Sequence, residues 1–323
     1  MKKLAVPLIT ASLLAGCADF SLSDDNGIND VDLDTTGTEG SGQAIERYEE
    51  LDGAGGGYAE NIVYNATNDT FSVDNLAFDG NNTYARGSAI ASLGPFKVFD
   101  GDATVTDSFG GKTIDQFLHR AIYGVSTSGD TEFGIVRSGE YNGYGFGGFV
   151  YKRNGDVTIP TSGQAGYDGK YAGVRVFNNN SGIELTEADV TMGIDFRDFN
   201  DGYAIQGTIF NRVAYDDAGN VLTTAADVHS DEVHLPNIVF LVAPGVMSDN
   251  GIIQGELSSF ARDLDGARKP FEAGKYYGIM SGDDAEEIVG IIVVESKDPR
   301  FGNPFGVNDV GVQETGGFIV YRD

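Results

Sequence analysis

Cys17 is the only cysteine of this 323-residue chain, and it closes the run Leu14-Ala15-Gly16-Cys17 at the end of an apolar stretch. A thiol behind small residues at this place supports one chemistry. Diacylglycerol is transferred to Cys17, the Gly16–Cys17 bond is cut, and the new amino terminus is acylated, palmitate being the acyl group expected. Lys2 and Lys3 ahead of an apolar core too short to span a bilayer complete a lipoprotein signal peptide over residues 1–16. Several acyl chains hold an otherwise soluble protein on a membrane stably. Ala18 follows the cysteine in place of the Asp that favours inner-membrane retention in enteric bacteria, so the expected location is the outer membrane, with the body at the cell surface.

Other residues of chemical interest form no complete site. His229 and His234 share an acidic loop with Asp227, Asp231 and Glu232, but a separation of five is neither a same-face strand spacing nor a helical pair, and a solvated loop is the better account. Asp30, Asp32 and Asp34 open like a calcium loop, yet Thr35 stands where the sharp turn needs Gly and Ser41 where the closing Glu belongs. Glu286 and Glu287 are adjacent, so on a strand they point to opposite faces and cannot flank one glycosidic bond. The chain has 3 His and no Gly-x-Ser-x-Gly elbow, so no nucleophilic triad assembles. His119 reads as a packed or surface residue. Tyr141, Tyr144 and Phe146 form an aromatic-glycine stretch of the kind used at protein-binding surfaces, although inward packing explains it better. No catalytic residue, metal ligand or cofactor is assigned, and the chain is expected not to be an enzyme.

The chain carries 49 acidic and 21 basic side chains, a net charge of −28. Loss of Lys2 and Lys3 with the leader takes this to about −30. Nucleic acid, which requires a basic patch, is excluded as a partner. High net charge keeps a tethered protein dispersed, and a monomer is expected. With Cys17 consumed by lipid, no disulfide is possible and burial alone must hold the fold.

The elements that must position any site are strands. The 46 Gly, 20 Phe and 15 Tyr with no Trp suit short strands and tight turns. Residues 17–57 comprise the lipidated cysteine and an Asp/Gly/Ser/Thr-rich flexible tether, too poor in large apolar residues to fold. Residues 58–160 read as a small β-rich domain whose clearest unit is a hairpin, Phe117 to Val125 and Thr131 to Arg137 about Ser128-Gly129-Asp130. Ile114 to Ala121 fits a short helix as well. After a turn-rich connector, residues 161–323 offer eight strand candidates: 170–177, 188–196, 203–211, 238–242, 251–260, 275–280, 287–294 and 317–321. That count suits an eight-stranded antiparallel β-barrel, which also removes exposed sheet edges. The fold class expected is therefore all-β. Gly316 to Arg322 echoes Gly147 to Arg153, which places a boundary near 155–163.

The second half resembles the barrel of the transferrin-binding protein B family of surface lipoproteins. The resemblance rests on Gly274-Lys275-Tyr276-Tyr277-Gly278-Ile279-Met280-Ser281-Gly282-Asp283-Asp284-Ala285-Glu286-Glu287-Ile288-Val289-Gly290, with Tyr167 to Gly173, Gly251 to Leu257 and Gly317 to Tyr321 as flanking strands. Residues 58–160 then take the place of that family's handle domain, without a motif match. The resemblance implies an outer-membrane lipoprotein that binds a protein or iron-bearing nutrient through barrel and handle loops. It supplies no ligand-binding residue, and this chain has room for one handle-barrel lobe where the transferrin receptors have two. Two other readings stay open: a structural or adhesive surface lipoprotein, and a periplasm-facing, lipocalin-like carrier. Bulky side chains inside the barrel argue against the carrier, and a cavity lined by Gly and Ala argues for it.

Overall fold

The computed structural model describes residues 44–51, 56–139, 143–196, 202–222, 234–262, 266–297 and 310–323. Gly16, Cys17, the Asp30-Asp32-Asp34 run, Tyr141, Asp227, His229, Asp231 and Glu232 lie outside them. The described residues contain twenty β-strands and no helix.

The first eleven strands are β1 (Ile45–Tyr48), β2 (Glu60–Asn65), β3 (Thr70–Asp74), β4 (Thr83–Arg86), β5 (Ser92–Leu93), β6 (Phe96–Asp100), β7 (Thr104–Thr106), β8 (Thr113–Asp115), β9 (His119–Val125), β10 (Thr131–Ser138) and β11 (Gly147–Arg153). Apart from β7 and β8, they form one antiparallel sheet in the order β1-β11-β10-β9-β6-β4-β3-β2, with β5 paired to β6. The hairpin expected around Gly129 is present as β9–β10, with Val125 opposite Glu132. Ile114 to Ala121 is not helical: it divides between β8 and β9. The stretch spans the end of one strand, a connector and the start of another, so it carries no single strand period; the β9–β10 hairpin beyond it is buried on both faces. One face packs Ile122, Phe133 and Ile135 toward the second half of the chain, and the other packs Ala121, Tyr123 and Val136 against Phe71, Val73 and Tyr84. One expectation needs correction. Ile45–Tyr48, assigned to the tether, is a strand paired with β11 from Ile45↔Arg153 to Tyr48↔Val150. A single buried apolar side chain, Ile45, anchors it, too little to stand out in a polar sequence.

The remaining strands are β12 (Gln164–Phe177), β13 (Asn180–Asp195), β14 (Ala204–Tyr215), β15 (His234–Leu235), β16 (Ile238–Pro244), β17 (Ile252–Arg262), β18 (Arg268–Ser281), β19 (Glu287–Lys297) and β20 (Gly311–Arg322). Eight of them close into an antiparallel barrel in the order β12-β20-β19-β18-β17-β16-β14-β13, the ring being completed by the β12–β13 pairing. All eight expected strands are there, most of them longer than the sequence candidates. The short β15 adds a rung to β14. Alternation works as expected on β13, where Val190, Met192 and Ile194 face the core and Thr191 faces solvent.

The barrel interior is packed with side chains. Tyr167, Tyr171, Met192, Ile205, Ile209, Phe240, Ile253, Leu257, Tyr276, Ile288, Ile292 and Phe318 form one buried cluster. Inward glycines accommodate the large rings of the strands beside them. A Cβ on Gly316 would lie 2.0 Å from the Tyr171 hydroxyl oxygen, and one on Gly290 would lie 2.2 Å from the ring of Phe318, its direct cross-strand partner.

Candidate functional site

Three regions carry chemistry or exposed contact area: the polar half of the barrel interior, the seam between the two sheets, and the solvent-facing surfaces.

The polar half occupies the end of the barrel where β12 finishes and β20 begins. Arg212 donates to both carboxylate oxygens of Glu272 (2.7 and 2.9 Å) and to Glu314 (2.8 Å). Tyr171 and Thr186 donate their hydroxyls to Glu314 at 2.6 and 2.8 Å, Arg175 donates to Glu184 at 2.5 Å, and Ser259 donates to Glu272 at 2.6 Å. All eight of these side chains are buried. Burial pushes the Glu314 carboxyl up, but the charges of Arg212 and Arg175 and its two hydroxyl donors outweigh that and hold it below the ordinary carboxylate range. Burial and the Glu314 charge push the Tyr171 hydroxyl well above its ordinary value. Bidentate, charge-assisted bonding of this kind offsets the desolvation of the ions. A bulge brings Arg212 into the network. On β14, Ile205 and Ile209 point inward, so unbroken alternation would send Asn211 inward too. Instead the register slips opposite Glu187 and Asp189, Asn211 takes a φ of 55°, and Arg212 turns inward while Asn211 bonds Asp189 outside. No acid–base pair here faces an open space, and the arrangement is a structural core.

At the seam, Phe133 is wedged against the barrel wall: a Cβ on Gly317 would lie 2.3 Å from its ring and one on Gly124 2.4 Å. Around it, barrel residues Ala172, Val174, Tyr277, Ile279, Val289, Ile291 and Ile319 share one apolar cluster with Ile122, Ile135, Phe149 and Tyr151 of the first sheet. Polar stitches surround this cluster. Ser128 donates to Glu287 at 3.0 Å and Thr131 at 2.9 Å, the Thr127 amide donates to the Tyr321 hydroxyl oxygen at 3.0 Å, and Arg153 donates to the Met280 carbonyl at 2.7 Å. Arg137 bonds the Thr315 hydroxyl (2.8 Å) and pairs with Glu49 (2.6 Å).

The two glutamates set aside as unable to flank one bond therefore have separate structural tasks. Glu286 accepts from the Asp284 amide at 3.2 Å within the turn, whereas Glu287 bridges to the first sheet. Ala285, at a φ of 54°, is buried with its carbonyl accepting from Tyr167 at 2.8 Å. The Ala-Glu-Glu stretch is thus a turn and a joint. Sequence reasoning did not find the seam, because the polar stitches across it join residues 127 to 194 positions apart.

Of the remaining candidates, His119 is buried, and its Nδ1 lies 3.1 Å from the Phe117 carbonyl. Burial pushes its pKa down to about 4. Tyr144 is half-buried at the seam with its hydroxyl pushed up to about 12 by burial and by Glu295. Phe146 meets Tyr58 edge-on at 5.3 Å. Packing, not display, accounts for both. The backbone of His234 lies in β15, opposite Val213.

An open pocket of about 790 Å³ is lined by Gly193, Gln206, Thr208, Val239 and Val242 together with the core residues Met192, Ile194, Ile205 and Phe240. The other exposed feature is the free end of the first sheet. There β7 and β8 form a separate ribbon with Phe109 at its tip, 99% exposed, while Ile114 in β8 is 43% exposed and Phe78, against Phe117 at the base, is 55% exposed.

No family model and no curated protein sequence matches this chain. Among solved structures, it is similar to a double mutant of the vaccine antigen transferrin binding protein B from Haemophilus parasuis Hp5, with 15% identity over 87% of this chain and 45% of that one and a TM-score of 0.38. It is also similar to an intact transferrin binding protein B with N and C lobes, at 13% identity over 87% of this chain and 46% of that one, TM-score 0.34. A third is described as a surface lipoprotein, at 12% identity over 62% of this chain and 80% of that one, TM-score 0.32. The chain spans about half the length of the transferrin-binding chains.

Proposed function

We propose that the chain is a lipid-anchored, outer-membrane binding protein whose rigid β body takes a protein or protein-borne nutrient on its outer surface. The observation that carries this reading is the packed barrel. Rings of Tyr171, Tyr276, Phe240 and Phe318 and the Arg212–Glu314 network fill the interior, so contact with a ligand falls to loops and outer walls. The carrier reading needs a hollow barrel, whereas among the described residues these side chains occupy the interior. Cys17 is the anchor, freed by cleavage after Gly16, and residues 58–160 and 161–323 act as handle-like and barrel domains joined by the seam. The resemblance of the Gly274 to Gly290 stretch and its flanking strands to the transferrin-binding protein B family supports the same reading.

Native mass spectrometry of the purified mature protein tests this. The expected spectrum is the chain with its lipid and nothing else, and a stoichiometric small-molecule adduct that survives removal of the lipid would contradict it. In parallel, Cys17→Ala is expected to abolish incorporation of labelled palmitate and release the protein from the membrane fraction; retained label would place the anchor elsewhere.

A further inference from the structure

The ribbon β7–β8 belongs to neither large sheet, and two strands alone are only marginally stable in water. Its tip is nonetheless tightly organised. The Asp107 carboxylate accepts from the amides of Phe109 and Gly110, both at 3.0 Å. The Asp107 carbonyl accepts from Gly111 at 2.9 Å, and the Asp107 amide donates to the Lys112 carbonyl at 2.8 Å. The base is also tied down. The Gly80 amide donates to Gln116 at 3.1 Å, Asn81 to Asp102 at 3.2 Å, and the Phe117 amide to the Phe78 carbonyl at 2.9 Å, with the rings of Phe78 and Phe117 4.9 Å apart. Single exposed apolar residues need no explanation. A Phe projected wholly into water by a braced turn, with Phe78 and Ile114 also exposed on the same end, is a different case. Burial of this ring is a hydrophobic gain that the fold itself leaves unrealised. Because the turn is already ordered, little entropy is lost when the ring is engaged.

We infer that Phe109 is a preorganised docking anchor, and that its occupant is a protein with an apolar pocket rimmed by Lys or Arg. Charge decides the occupant. Asp74, Asp102 and Asp115 are exposed around this end, Lys112 is the one cation between Thr104 and Asp115, and the chain as a whole carries −28. A second copy of this chain or an anionic lipid surface would meet like charge, whereas a basic rim is attracted and steered. This inference rests on the reading of the chain as a binder of macromolecules and names the part of it that makes contact.

The probe is a library of displayed cyclic peptides selected on the purified mature chain. Selected peptides are expected to combine apolar residues with Lys or Arg, and to weaken at least tenfold on Phe109→Ser, a change at a residue with no packing to lose. Asp107→Ala, which loosens the turn and leaves the ring, is expected to weaken them less. Peptides that bind Phe109→Ser as well as the parent, or that are acidic, would overturn the inference. So would Phe109-dependent sedimentation with phosphatidylglycerol vesicles, or a dimer that Phe109→Ser dissolves. Failure of this kind in a protein whose body is accessible at the cell surface removes the anchor but leaves the surface-binding reading standing.

Discussion

At the scale of single residues, Glu314 and His119 set the sharpest expectations. Glu314 holds two arginines and two hydroxyls inside the barrel, so Glu314→Ala leaves Arg212 partly unpaired in a buried site and is expected to cost about 3–5 kcal/mol, read from urea unfolding. Its folded-state pKa is depressed. The stability it contributes is therefore present above the unfolded carboxylate value and is lost as pH falls through the folded one. His119 acts in a higher window. Its folded pKa of about 4 lies below the unfolded value of about 6.5, so its contribution is complete above pH 6.5 and lost on descent toward 4, by up to about 3 kcal/mol. Unfolding of His119→Gln is expected to lose that part of the pH dependence between 4 and 6.5, and an unchanged slope would show that the imidazole is not the titrating group. None of the buried network could be read from the sequence. Arg175, Glu184, Arg212, Glu272 and Glu314 are dispersed charged residues in strands, and nothing local marks them as inward-facing.

At the scale of elements, the strands themselves were legible because period-two alternation survives wherever one face meets solvent, as in Val190 to Asp195. It was lost where both faces are covered, as in β9 and β10, which is why the first sheet could be read only in part, while Ile114 to Ala121 admitted a helix because it runs from β8 across a connector into β9. The β14 bulge is the other limit: its single displaced residue inverts which side chains enter the barrel, and no composition signal announces it. Asn211, at a φ of 55°, is expected to tolerate Gly without loss, whereas Asn211→Val should destabilise by roughly 1–2 kcal/mol in thermal or urea unfolding. At the seam, Gly317→Val drives a branched side chain into Phe133 and is expected to cost about 1–3 kcal/mol or more, with the urea midpoint as the readout. Equal stability of parent and variant would mean that Phe133 moves freely from the wall.

At the scale of the whole molecule, the two sheets share one apolar cluster, and neither face of that contact is suited to water. Residues 161–323 expressed alone would expose Val174, Tyr277, Ile291 and Ile319 together, and are expected to bind hydrophobic dyes or aggregate, while the intact body unfolds in a single calorimetric transition. Two well-separated transitions would contradict this and make the seam a hinge. The sequence pointed to a division near 155–163 but not to the adhesion across it, since Phe133, Thr131 and Ser128 meet Gly317 and Glu287 only in the folded chain. A fused body with its interior filled and an aromatic tip displayed suits the surface-binding function proposed above. The most direct measurement is protease shaving of intact cells that carry the full-length protein, with blotting for the body and a periplasmic protein as integrity control. The account predicts loss of the body's signal while the periplasmic control survives. Protection of the body would place it facing the periplasm and contradict the surface-binding function.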